Sequence, residues 1–537
     1  MWTKEDIRLF SISSIIIITI SFLTYFTALD GFFTGVDFSA YMDGGKYEKS
    51  IDLMGLLIPG KGNTRVRPLP EISWSLEHKL WGLNHTAYHA TAIMLHTINS
   101  ILVLCLSFFL LRNKLVALGA GILFAIHPIH SGVVSIIQQR YDLVCALFYL
   151  SSLVSFALSI YNSRQKVFYL ISLLSYLAAL FSKEMALTLP LTIIFYDSFI
   201  MKRFSWRSFI NRINLYTPYI AITVIYIIWR VALTGTIGGD INPVTGRSAI
   251  FDFNLLGYLS KTVYYVPAEF FIPLNRAIFS NNSVQLITMI FLSGILAVTA
   301  FSFKEIWKNI HLILFGFFWI IITLIPAYNS VGVSNMLLES RFVYLPSAGF
   351  CIALAFMFLG DKTRYIKRYL SLSIFTLFCI IYIFVTNKNN SVWISAGEIN
   401  RSIPRVVNEY YKRYGADIKC FFLMPNRTGG GADLFAEELP LVLAPLFAPL
   451  GPESVVLLSE DNHGTYCAYI SKDFDLRQPD RLHGLGKKVF LFRYNQDKSI
   501  LEDVSLQIKS GLLKTSAYYK PDWIGDKIKA EVIKYVK

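Results

Sequence analysis

The segment Leu123–Asp142, LFAIHPIHSGVVSIIQQRYD, sets His127, His130, Arg140 and Asp142 at the end of an apolar run. Polar side chains there are costly unless another polar group meets them. Groups of matching chemistry recur along the chain: Asp30, Asp37 and Asp43 beyond the first apolar stretch, then Arg65, Arg67, Lys183, Glu184, Arg230, Glu339 and Arg341. A carboxylate can take the proton of an attacking hydroxyl. Arginine offers a planar fork to two phosphate oxygens, and lysine a compact charge. Each group also has a plainer reading. His127 and His130 can cap a helix end, Ser182-Lys183-Glu184 can be a polar turn, and Glu339 can pair locally with Arg341. Arg230 reads as a side chain that snorkels to lipid headgroups.

The elements that must position these groups are membrane helices. The chain has 537 residues, of which 54% are hydrophobic and 16% charged, and its mean hydropathy is +0.49. Apolar runs long enough to cross a ~30 Å hydrocarbon core recur through the first 390 or so residues. They predict about eleven spans, near 11–29, 88–111, 115–133, 142–161, 167–182, 185–201, 215–233, 284–303, 311–326, 341–360 and 369–387. The first lacks a small-residue cleavage site and is followed by more spans, so it reads as a retained helix. The stretch 255–275 is interrupted by Lys261, Pro267 and Glu269, and reads as a re-entrant or surface-lying helix. Lys4, Arg8, Arg112, Lys114, Arg164, Lys166, Lys202, Arg203, Lys304, Lys308, Lys362 and Arg364 all fall on one side if the N-terminus is cytoplasmic. Much of the net charge of +14 is therefore topology and needs no nucleic-acid partner. With this topology the polar groups named above share the outer face. Carboxylates, arginines and histidines beside lipid suit chemistry on a lipid-linked anion.

Domain organisation follows the same signal. Residues 1–388 form the polytopic module, with a first external loop at about 30–87, 389–402 is a linker, and 403–537 is a soluble α/β tail. Strands are expected at 418–425, 454–460, 465–471 and 488–495, and a proline-interrupted helix at 434–447. Eleven spans put the tail outside, where disulfides form. Cys420 and Cys467, one in each of two expected strands, are then a candidate bridge, with two free thiols as the alternative. Cys105, Cys145, Cys351 and Cys379 fall in spans and read as small apolar packers.

RVRPLPEISWSLEHKLWGLNHTAYHATAIMLH (65–96) carries Arg67-Pro68-Leu69, Gly82-Leu83, Tyr88-His89 and His96. LFAIHPIHSGVVSIIQQR carries His-Pro-x-His, SKEMALTLP (182–190) carries Lys183-Glu184, and LIPAYNSVGVSNMLLESRFVYLPSAGF (324–350) carries Glu339, Arg341 and Tyr344. With GVDFSAYMD (35–43) upstream of them, these five segments, in their order along the chain, resemble the transmembrane-and-tetratricopeptide O-mannosyltransferases over roughly residues 8–400. Two departures stand out. Val36-Asp37 replaces the family's frequent aspartate pair, and no tetratricopeptide array follows NKNNSVWISAGEINRSIP.

The resemblance implies a GT-C fold, a bundle of membrane helices with a catalytic first external loop carrying short amphipathic helices, and a polyprenyl-phosphate-linked sugar donor used on the outer face. Direct displacement with inversion needs one carboxylate base. Asp37 is the best placed, with Asp43 and Asp30 as fallbacks. For the donor phosphate the candidates are Arg341, Arg67, Lys183 and Arg140, with His127 or His130 donating a hydrogen bond. Glu184 and Glu339 orient those cations or bind sugar hydroxyls, and Asp43, Tyr344 and His89 are further substrate-binding or orienting candidates. A monophosphate leaving group does not demand a metal, so no cofactor is expected. A divalent ion is the alternative, although His-Pro-x-His lacks the usual i, i+4 ligand spacing. The partners expected are the lipid-linked sugar, a protein or glycan acceptor and membrane lipid. The placement expected is a bacterial inner membrane with a periplasmic tail, or the endoplasmic reticulum in a eukaryote. Two alternatives stay open: a ligase or polymerase using a pyrophosphate-linked oligosaccharide, and a lipid-linked sugar transporter. The transporter would want mid-membrane charges and inverted repeats.

Overall fold

The computed structural model describes residues 4–34, 37, 53–58, 66–161, 164–200, 206–237, 254–327, 340–360, 365–416, 418–425, 428, 434, 455–460, 466–469, 488–495 and 500–503. Its principal helices are α1 Lys4–Tyr25, α2 Pro68–Trp81, α3 His85–Leu111, α4 Lys114–Ile126, α5 Arg140–Tyr161 and α6 Gln165–Leu180. They continue with α7 Leu189–Ile200, α8 Ile213–Thr234, α9 Asn281–Lys308, α10 Ile310–Leu324, α11 Ser347–Leu359 and α12 Tyr365–Tyr414. The chain is an integral membrane protein. Among the described residues seven helices are long and apolar enough to cross a membrane, or eight if α4 and the helix after its 42° bend count as one span.

Among the described residues each of the eleven apolar stretches contains helix, but they do not all reach full span length. At 1.5 Å per residue, the 16 residues of α6, 12 of α7 and 13 of α11 fall short of a ~30 Å core. The shortening has a local cause. Each of these helices abuts an irregular turn that carries polar side chains: Lys183-Glu184 between α6 and α7, and Arg341 before α11. The bend after α4 falls where His127 takes an extended conformation before Pro128. The stretch 255–275 is short helical pieces over Leu255–Phe271, exposing Leu256 and Tyr264 and burying Tyr258, Val266 and Phe270.

α10 and α11 cross at backbone contact, since a Cβ on Gly316 would lie 2.6 Å from the Gly349 carbonyl oxygen. Trp319 Nε1 donates to the Leu345 carbonyl at 3.1 Å and ties the turn holding Arg341 to α10. α12 is 50 residues long and runs through 389–402, which is therefore helix and not a linker. Its asparagines explain why the polar run NKNN stays helical. Asn389 Nδ2 donates to the Pro128 and Pro273 carbonyls, and Asn390 Nδ2 to the Thr24 carbonyl, each at 3.4 Å. These are backbone groups that the bundle's breaks leave unpaired.

The tail contributes a five-stranded sheet, β1 Ile418–Pro425, β2 Val455–Glu460, β3 Tyr466–Tyr469, β4 Lys488–Asn495 and β5 Ile500–Asp503, in the order β3-β2-β1-β4-β5. β1 is parallel to β2 and β4, and the two edge strands are antiparallel. Four strands lie where alternation predicts them, and β5 is additional. The helix expected at 434–447 lies outside the described residues, apart from the buried Leu434. Cys420 is a buried free thiol, so the expected bridge to Cys467 is corrected. β2 stands between their strands, and a one-strand gap of roughly 9–10 Å exceeds disulfide reach. Cys145 and Cys351 are buried free thiols, and Cys105 and Cys379 are half-buried free thiols.

Candidate active site

Four described cations and two carboxylates meet where the α6–α7 turn, the first turn of α5, the start of α2, the end of α8 and the turn before α11 converge. Arg67 begins α2 because Pro68 can occupy the first helical position without a missing hydrogen bond. Its Nη2 donates to Glu184 Oε2 at 2.9 Å, and Arg230 Nη2 donates to Glu184 Oε1 at 2.5 Å. Burial would raise the Glu184 pKa, but the two guanidinium charges outweigh it and hold the carboxyl well below the usual carboxylate range. Lys183 Nζ donates to Asp142 Oδ1 at 2.5 Å. Burial lowers the Lys183 pKa despite Asp142, and the neighbouring Arg67 and Arg341 charges push the same way.

Phe342 joins the last cation to the group. Lys183 Nζ lies 5.0 Å and the Arg341 guanidinium 4.8 Å from its ring centroid. No carboxylate among the described residues pairs with Arg341. Four cations against two carboxylates leave two positive charges unmatched among the described residues. Like charges this close to a low-dielectric boundary repel unless an anion joins them.

Asp37 is fully buried on the other side of the α5 entry. Its Oδ2 accepts from Thr34 N at 2.9 Å and Thr34 Oγ1 at 2.7 Å, and Oδ1 accepts from Gln138 N at 3.0 Å. Burial pushes its pKa up to about 6 against those hydrogen bonds. The turn Ile137–Gln139 leads directly into Arg140, Tyr141 and Asp142. One stretch thus braces the carboxylate by its backbone and the basic cluster by its side chains.

Several sequence expectations need correction. Arg140 is buried, donates from Nη1 to Glu77 at 2.6 Å and from Nη2 to the Tyr88 carbonyl at 3.2 Å, and braces α2 instead of facing a ligand. His127 and His130 lie inside the bundle with both ring nitrogens engaged. His127 holds the Phe270 carbonyl and the Ile129 amide, and His130 the Phe124 carbonyl and the Ser347 hydroxyl. Neither has a donor to give a phosphate. Tyr344 is buried with its hydroxyl taken by His96 and Asn99, and His89 is buried beside Gly31. Arg230 does not snorkel, being 1% exposed and ion-paired. Asp43, Arg65 and Glu339 lie outside the described residues. No three His, Cys, Asp or Glu side chains converge as metal ligands among the described residues.

No protein-family model matches the chain. The human protein O-mannosyl-transferase TMTC2 is 28% identical over 193 residues, covering 34% of this chain and 23% of that one. The Caenorhabditis elegans protein O-mannosyl-transferase F38B6.6 is 24% identical over 370 residues, 64% of this chain and 51% of its own. The chain resembles the TMTC-type protein O-mannosyl-transferases. It spans only part, about half at most, of the relatives' length. A crystal structure of the Archaeoglobus fulgidus oligosaccharyltransferase, in complex with Zn and sulfate, covers 87% of this chain and 74% of its own at 13% identity and a TM-score of 0.44.

Residues that sequence reading passed over complete the site. Tyr141 receives the Arg67 guanidinium at 4.6 Å from its centroid and the edge of Trp74. Phe342, Thr34, Gln138 and Glu77 do the rest. A faint signal existed: Tyr141 and Phe342 each adjoin a charged residue, and Thr34 stands three before Asp37, the spacing of a side-chain-closed turn.

Proposed function

We propose that the chain is a membrane glycosyltransferase that moves a sugar, mannose or another hexose, from a polyprenyl-phosphate donor to a hydroxyl of a protein or glycan on the outer membrane face. The observation that carries this reading is the unmatched Arg341 sharing Phe342 with Lys183. The O-mannosyl-transferase relatives favour the same chemistry. The acceptor oxygen bonds to the anomeric carbon on the face opposite the phosphate, with inversion. The bond from that carbon to the phosphate oxygen breaks, and its electron pair leaves on the phosphate. Asp37 takes the hydroxyl proton, and its raised pKa makes it the stronger base. Arg341 and Lys183 receive the growing phosphate charge, while Glu184 fixes Arg67 and Arg230 as a charged wall behind them. Side chains alone neutralise a monophosphate, so the reaction runs without a metal. The topology proposed is eleven spans, with α6, α7 and α11 as short members, a cytoplasmic N-terminus, an outer-face α/β tail that helps select the acceptor, and a bacterial inner membrane as host.

The test is Arg341→Ala. It should raise the donor KM by one to two decades, since a charge-assisted phosphate contact contributes about 1.5–3 kcal/mol. Unchanged donor kinetics would remove the phosphate clamp from the account.

A further inference from the structure

The tail end of α12 carries a buried stripe of Trp393, Ala396, Ile403 and Val407. Asn400 stands in that stripe, fully buried, where helical spacing calls for an apolar side chain. Its Nδ2 donates to the Phe33 carbonyl at 3.1 Å, while its Oδ1 has no partner among the described residues. A buried amide left half satisfied is a poor choice for stability alone. Three residues earlier, Gly397 lets the helix touch the same loop. A Cβ there would stand 2.5 Å from the Phe32 carbonyl oxygen and 2.7 Å from its nitrogen. Phe33 immediately precedes Thr34, whose amide and hydroxyl both donate to Asp37.

We propose that Asn400, seated by the close approach at Gly397, is a positioning residue that fixes Phe32–Thr34 and through it the Asp37 carboxylate. The inference rests on the reading of Asp37 as the base. α12 is also the element on which the tail sheet packs. Ile418, Cys420, Phe422 and Phe492 share one apolar cluster with Ile399, Ile403, Val407, Phe33 and Trp74. The strut that bears the sheet is therefore the strut that aims the base. The groups facing the carboxylate are Thr34 from its own loop and the Ile137 and Gln138 amides from the turn before α5, none of which titrates.

The experiment uses the full chain in lipid nanodiscs, as the natural sequence and as Asn400→Leu, Gly397→Ala, Asp37→Asn and Val407→Ala. Val407→Ala weakens the same stripe without touching the loop. The first readout is the protonation midpoint of Asp37, followed as the infrared carboxyl band that Asp37→Asn lacks. It should lie near 6 in the natural chain. In Asn400→Leu and Gly397→Ala it should fall by about half a unit or more as the loosened loop admits water, and Val407→Ala should not move it. The second readout is turnover of polyprenyl-phosphate mannose, with kcat down about tenfold and the donor KM within about twofold in both loop variants. Natural midpoints and kcat in both would overturn the inference, as would equal changes in Val407→Ala. If Asn400→Leu does not fold, Asn400→Ser and Gly397→Ala carry the same two readouts. Asp37→Asn that keeps natural turnover would instead overturn the base assignment, whatever Asn400→Leu does.

Discussion

At Asp37 one carboxylate is buried against the Thr34, Ile137 and Gln138 donors and no cation among the described residues, while thirty residues separate it in sequence from Arg67. Its folded pKa of about 6 stands above the ordinary 3.8. The sign follows directly. A base works deprotonated, so kcat/KM should hold above pH 6 and fall roughly tenfold per unit below it, a limb that Asp37→Asn removes along with activity. Burial opposes the ionised form, so this group lowers stability above pH 6 and the loss is relieved as pH falls toward 4. Asp37→Asn should therefore melt no lower than the natural chain at pH 8, which thermal unfolding in detergent would check. Glu184 has the opposite sense. Glu184→Gln leaves Arg67 and Arg230 buried without their carboxylate, and should cost about 3–5 kcal/mol of stability, read as a lower melting temperature. Lys183-Glu184 and Arg341 were legible as site candidates because charged pairs interrupt apolar sequence there. Their partners were not, since Arg230 lies 46 residues from Glu184 and reads locally as a snorkelling side chain.

The elements divide into those that cross the membrane and those that hold the crossing ends apart. α2 is the clearest of the second kind. Glu77 on its inner face meets Arg140 at 2.6 Å, and Trp74 meets Tyr141, so the first-loop helix is clamped onto the start of α5. Glu77→Leu should strand a buried guanidinium and destabilise by about 3–5 kcal/mol, with proteolysis of the first loop accelerating in parallel. The helices themselves were legible in the sequence, because runs of apolar residues leave little else possible in lipid. Their ends were not. The His127-Pro128 bend, the short α6 and α7, and the 50-residue α12 all depend on which carbonyls a neighbour satisfies. Asn389 and Asn390 look like the start of a linker until their targets on Thr24, Pro128 and Pro273 are known. His127 is hidden in the same way: its Nε2 grips the Phe270 carbonyl, 143 residues away, which has no local signature.

On the scale of the whole molecule, the apolar cluster that holds Phe32 and Phe33 also holds Phe492 of the tail sheet, so the sheet and the Phe32–Thr34 segment share one foundation on α12. The strands announced themselves by alternation, but their order did not, and the order is what separates Cys420 from β3 and corrects the disulfide. Orientation rests on the lysines and arginines alone. A reporter active only in the cytoplasm, fused after Lys537, should be silent, and a strong signal would invert the face on which Asp37 and Arg341 are placed. The most direct measurement uses the purified full chain in liposomes with polyprenyl-phosphate mannose radiolabelled in the lipid, a mixture of serine- and threonine-bearing peptides as hydroxyl acceptor, and a chelator. Free polyprenyl phosphate is separated from donor by chromatography over time. The natural chain should release polyprenyl phosphate steadily with the chelator present, and Asp37→Asn none above background. Equal release from both, or consumption only of a pyrophosphate-linked glycan and only when a divalent ion is restored, would contradict this mechanism.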